Sequence, residues 1–137
     1  MQLRDSFLWK ESMRILASGT ILTVRDPRVS AEFMMRHLGF EEKLCGDSFY
    51  VVSPQDSAMN LVFVDPGEPH FTPRYASGDE VVIFLAVSDI GVEYDRLRDE
   101  AVEIETPIRT IYWADVIERE FRVKDPNGVI VKLSEWL

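Results

Sequence analysis

The sequence predicts an α+β fold of two tandem βαβββ modules whose curved mixed sheet surrounds a trough. Three observations predict it. Apolar runs and helical stripes follow the order strand, helix, strand, strand, strand, and the same order returns later in the chain. Between the two series, residues 65–80 carry Pro66, Gly67, Pro69, Pro73 and Gly78, which break any regular element. The halves also align internally. An offset of 63 pairs Leu22 with Leu85, Val24 with Val87, Asp26 with Asp89 and Val29 with Val92. An offset of 72 pairs Phe49 with Phe121, Val51 with Val123, Pro54 with Pro126 and Leu61 with Leu133.

In the first module, residues 21–24 are apolar and β-branched and read as a strand. Asp26 and Pro27 start a helix, because Asp caps well and Pro tolerates the first turn. Val29, Phe33, Met34 and Leu38 recur at helical spacing, and Gly39 ends the helix in the manner of a C-terminal glycine. Residues 40–45, 49–52 and 59–64 are extended, with turns at Gly46-Asp47 and at 54–57.

In the second module, residues 81–87 form a strand and Asp89 caps a helix with Val92 and Leu97 on one face. Residues 101–105, 121–124 and 129–133 are extended, and Asp125-Pro126-Asn127-Gly128 is a turn. The second half is longer near 106–115, where an enlarged loop is expected. The resulting division is an arm at 1–18, a first module at 19–65, a linker at 66–80 and a second module at 81–137, in one domain overall. The arm carries Phe7, Leu8, Trp9, Met13, Ile15 and Leu16, too apolar for a free tail, and is expected to dock on the body or on a partner chain.

Composition narrows the function. The 137 residues include 46% hydrophobic side chains, enough for a core of ordinary size. The formal charge is −9, which repels phosphate backbones, so nucleic acid is not an expected partner. No run approaches the roughly 18 apolar residues that span a bilayer, so no membrane partner is expected either. Cys45 is the only cysteine, which excludes an internal disulfide and a Cys-based zinc cluster. A reducing, cytoplasmic setting is expected for such a chain.

A trough between curved sheets presents alternate side chains inward on rigid supports, and such hollows suit small molecules. Aromatic residues form 11% of the chain. Tyr112 and Trp113 sit in the expected enlarged loop, where they close over a flat ligand; Trp136 packs the terminus. His37 near a helix C-terminus reads as structural. His70 stands in the linker, where the alternatives are a general base or a solvated side chain. Cys45 has no neighbouring base and is not an expected nucleophile.

Val24-Arg25-Asp26 before a helix that ends His37-Leu38-Gly39-Phe40 resembles the opening of the vicinal oxygen chelate superfamily, which contains the glyoxalase, bleomycin-resistance and dioxygenase families. Phe121-Arg122-Val123-Lys124-Asp125-Pro126-Asn127-Gly128, followed by Val129-Ile130-Val131-Lys132-Leu133, resembles its last hairpin. The resemblance covers residues 20–137 and implies the same tandem architecture, a glyoxalase-like fold, and a homodimer. It also implies four inward positions that carry His or Glu ligands in metal-dependent members. By motif spacing these are Gly19, Asn60, Val82 and Lys132, and Phe84 points inward two residues after Val82.

This set is poor for a metal. Glycine and valine offer no donor, an ammonium repels a divalent ion, and a catalytic site typically takes about three protein ligands. Glu135 lies at odd spacing from Lys132 and faces the other side of the strand unless a bulge turns it in. The resemblance therefore implies a metal-free binder of a small aromatic molecule. Lys132, Asn60, Val82, Phe84, Trp113 and Tyr112 are its expected ligand contacts, and no cofactor is expected. The alternative is a lyase or dioxygenase with displaced ligands holding Zn, Ni, Mn or Fe. A third is a module that binds another protein through its arm.

Overall fold

Each half of the chain folds into a four-stranded sheet with one helix against one face. The computed structural model describes residues 16, 18–67, 82–112 and 115–137. The expected arm up to residue 15, most of the linker with His70, and Trp113 lie outside the described residues.

The first module runs β1 (Ser18–Thr23), α1 (Pro27–Leu38), β2 (Phe40–Cys45), β3 (Phe49–Pro54) and β4 (Met59–Val64). Its sheet order is β1-β4-β3-β2, with β1 parallel to β4 and the other pairs antiparallel. The second module repeats this with β5 (Val82–Ala86), α2 (Ile90–Asp99), β6 (Glu103–Tyr112), β7 (Ile117–Lys124) and β8 (Ile130–Trp136), in the order β5-β8-β7-β6. β1 thus begins at Ser18, inside the segment expected to be the arm.

Pro27 opens α1, and Gly39 closes it at φ 73°, a left-handed conformation that glycine adopts without steric cost. The two expected caps differ. Asp89 accepts a hydrogen bond from the Val92 amide at 3.2 Å, whereas Asp26 makes no side-chain cap. The backbone of Asp26 is held instead by Asn127 of the second module. Asn127 Nδ2 donates to the Asp26 carbonyl at 2.8 Å, and the Asp26 amide donates to Asn127 Oδ1 at 3.3 Å.

The expected enlarged loop at 106–115 is mostly strand. β6 continues to Tyr112 and pairs with β7 through Tyr112 abreast of Ile117. The extra residues lengthen a hairpin, because Ile108, Thr110 and Ile111 favour extended backbone. Pro107 has no amide to donate, and the ladder shifts register around it, between Thr106 and Arg109.

Helix-facing side chains of both sheets join one core. Leu22, Phe33, Met34, Leu61 and Phe63 of the first module and Ile90, Leu97, Phe121 and Leu133 of the second belong to a single buried cluster. Alternation along each strand turns the neighbouring residues to the opposite, open face. That face carries the site described next.

Candidate functional site

Register determines what stands side by side on each open face. On the first sheet, Ile21 lies abreast of Val62, Val62 of Val51, and Val51 of Leu44. These four apolar side chains form a row across the sheet, with Ile21 and Leu44 exposed at its ends. Beside them, Gly19 lies abreast of Asn60. A shallow hollow of about 310 Å³ is lined by Ser18, Gly19, Ile21, Asn60 and Val62. Gly19 has a packing reason to be glycine: a Cβ there would stand 2.5 Å from the Asn60 carbonyl oxygen. Asn60 Nδ2 donates to the Ser18 and Ala58 carbonyls at 3.3 and 3.2 Å, so its amide nitrogen ties the strand ends.

The open face of the second sheet is ionised. Phe84 lies abreast of Lys132 and Lys132 of Arg122; Ser134 is abreast of Glu120 and Glu120 of Arg109. Glu118 and Glu120 have no solvent exposure at all. Lys132 Nζ reaches Glu118 Oε2 at 2.9 Å and Glu120 Oε1 at 3.8 Å. Ser134 Oγ donates to Glu118 Oε2 at 2.5 Å. Arg109 Nε donates to Glu120 Oε2 at 2.6 Å, and Arg122 Nε to Glu120 Oε1 at 3.5 Å. A buried carboxylate left without a cation costs several kcal/mol, so this set of partners is what permits both acids to sit there.

Phe84 covers one end of this network. It is 47% exposed, and the Lys132 ammonium stands 5.7 Å from its ring centroid, within reach of a cation–π contact. Lys132 itself is only 18% exposed. The register shows which of the expected inward positions stand side by side. Val82 lies abreast of Ile130, as Gly19 lies abreast of Asn60, and Lys132 is abreast of Phe84. The fourth strands of the modules are therefore related by an offset of 70 (130 − 60), not 72. Val82, Phe84 and Lys132 still share one face, because the displacement is two residues.

Two further expected contacts, Asn60 and Tyr112, are not brought to this place, and Trp113 lies outside the described residues. Asn60 belongs to the other sheet. Tyr112 is exposed and abreast of Ile117, one residue out of phase with Ile111 and Glu118, so it points away from the open face. Glu135 also faces the other way: its Oε1 accepts from the Ile90 amide at 3.0 Å, at the start of α2. Trp136 lies abreast of Glu118 and is 45% exposed on the open face, rather than packed under the terminus.

Glu118, Glu120, Arg109, Arg122 and Ser134 were not among the residues singled out from sequence. The signal was present in Ile117-Glu118-Arg119-Glu120-Phe121-Arg122-Val123-Lys124. Phe121 and Val123 point to the core, so Glu118, Glu120 and Arg122 at even spacing must share the opposite face.

The donor set does not fit a resident metal ion. Gly19, Val82 and Phe84 supply no ligand atom, and the Lys132 ammonium occupies the space between the two acids. Among the described residues, no three His, Cys, Asp or Glu side chains gather as a metal-binding group. Elsewhere, a cleft of about 640 Å³ at the start of α1 is lined by charges of both signs, including Arg25, Arg28, Asp47 and Asp65. Cys45 is exposed, and local desolvation and the Glu42 carboxylate push its thiol above the ordinary value, which disfavours a thiolate nucleophile.

Residues 16–133 match the family profile described as the Glyoxalase/Bleomycin resistance protein/Dioxygenase superfamily. None of the curated proteins matches the sequence. Several solved structures share the fold. TioX from Micromonospora sp. ML1 is 18% identical, with a TM-score of 0.70, covering 88% of this chain and 98% of its own. A member of the glyoxalase/bleomycin resistance protein/dioxygenase superfamily from Sphaerobacter thermophilus DSM 20745 is 21% identical, with a TM-score of 0.69, covering 89% and 98%. Lactoylglutathione lyase from Agrobacterium tumefaciens is 16% identical, with a TM-score of 0.67, covering 91% and 96%. Among the described residues no helix is long and apolar enough to cross a membrane.

Proposed function

Since the chain belongs to the Glyoxalase/Bleomycin resistance protein/Dioxygenase superfamily, we propose that it is a metal-free member that binds a small planar organic molecule on the open face of its second sheet. The observation that carries this reading is the pairing of Lys132 with two unexposed carboxylates beneath a half-exposed Phe84. A divalent ion meets an ammonium there, whereas a flat ring meets an accessible aromatic face. The Lys132 charge is already met by Glu118, so stacking and desolvation rather than ion pairing hold the ligand. In this reading the protein works in the cytoplasm as a homodimer, and the apolar row from Ile21 to Leu44 supplies surface for the pairing.

Elemental analysis of the purified protein, followed by a thermal-shift screen of planar aromatic compounds, tests the reading. The expected result is metal far below one ion per chain and a saturable rise in Tm with members of the screen. Stoichiometric Zn, Ni, Mn or Fe would overturn it in favour of a metal-dependent lyase or dioxygenase.

A further inference from the structure

We propose that the planar ligand of the second sheet carries an acid group, which Arg122 and Arg109 hold beside the stacked ring. The inference deepens the binding reading above and rests on it.

The network on this face contains both signs of charge, but only one of them reaches solvent. Glu118 and Glu120 have no exposure, whereas the side chains of Arg109, Arg122 and Lys132 are 53%, 26% and 18% exposed. Three cations stand against two carboxylates, so an arriving molecule meets guanidinium rather than carboxylate oxygen. Both arginines bind Glu120 through Nε, and neither makes a further hydrogen bond among the described residues. Each therefore keeps its Nη edge, a planar fork that fits a carboxylate through two parallel bonds.

Register puts the fork within reach of the ring. Phe84, Lys132 and Arg122 lie abreast on β5, β8 and β7, so Arg122 stands two strand spacings from Phe84, about 10 Å. Arg109 lies one strand further out and one pleat repeat along. A ring system stacked on Phe84 with an acid at its far edge meets Arg122, and a longer one meets Arg109. Stacking holds the molecule, and the guanidinium charge selects which molecule is taken.

The test titrates anthracene-2-carboxylate, its neutral carboxamide and the matching methylammonium compound into the full chain, read by anthracene fluorescence and calorimetry. The wild type is expected to bind the acid about five- to tenfold more tightly than the amide in low salt. The ammonium compound binds weakest, and the advantage of the acid shrinks as salt rises. Arg122→Gln should bring the acid within about twofold of the amide and leave the amide unchanged, while Arg122→Lys, with the charge but not the fork, restores the preference in part. Equal wild-type affinities for acid and amide overturn the inference, as does an acid preference that survives both Arg122→Gln and Arg109→Gln. If Arg122→Gln does not fold, the wild type decides: an acid preference insensitive to salt overturns the inference. If none of the three compounds binds, or Phe84→Ala binds all three as the wild type does, the binding reading itself fails and the inference with it.

Discussion

Ser30 Oγ donates to Asp125 Oδ2 at 2.5 Å, so a buried hydroxyl of α1 is bound to a buried carboxylate 95 positions away. Asn127 Nδ2 donates to the same hydroxyl at 2.7 Å, and Asp125 Oδ1 accepts from the Asn127 and Val129 amides at 2.9 and 2.8 Å. The turn that closes the second module is thereby fastened to the helix of the first.

Ser30→Ala removes one partner of a buried carboxylate. The expected cost is about 1–3 kcal/mol, read as a lower urea midpoint with an unchanged slope. A change within about 0.5 kcal/mol, the ordinary range of surface substitutions, would show that the clamp contributes little.

The helix caps allow a matched comparison. Asp89→Ala loses the bond to the Val92 amide and is expected to cost about 0.5–2 kcal/mol. Asp26→Ala loses no side-chain cap and should cost clearly less, because Asn127 binds the backbone of Asp26. Equal losses in urea denaturation would contradict the difference seen between the two caps.

His37 Nδ1 lies 2.7 Å from Glu100 Oε1, joining the last turn of α1 to the end of α2. That hydrogen bond, with Arg96 adding to it against an opposing desolvation, holds the Glu100 carboxyl below its ordinary value. A carboxyl whose pKa is depressed by folding contributes stability above its unfolded value, about 4.3 for Glu, and loses it as pH falls through the folded value. The Tm of the wild type should therefore exceed that of Glu100→Gln at pH above this range and converge with it on acidification. A gap that persists or widens in acid has the wrong sign for this linkage.

Phe84 is half exposed, so Phe84→Ala should leave the Tm nearly unchanged while abolishing the thermal shifts produced by planar compounds. Tyr112→Ala, at a position pointing away from the open face, should leave those shifts intact. Undiminished ligand response in Phe84→Ala would move the binding site elsewhere.

The strand and helix order, the glycine stop at Gly39 and the shared face of Val82, Phe84 and Lys132 were legible from local patterns. Each depends on periodicity or on one residue's backbone preference. The extension of β6 to Tyr112 was not, because Pro107 interrupts the pattern and only pairing with β7 restores the ladder. The network around Glu118 and Glu120 escaped for a related reason. Starting that strand at Phe121 leaves both acids in an assumed loop, where charge reads as solvation.

The duplicated βαβββ order is written in the chain itself, since it follows from residue type and spacing along it. Only the tertiary structure decided that Phe84, and not Val82, stands beside Lys132, and that the Lys132 charge is met from inside the fold. Register between strands far apart in sequence is set by how both sheets pack onto one core, and a shift of two residues preserves every side chain's face while changing its neighbours.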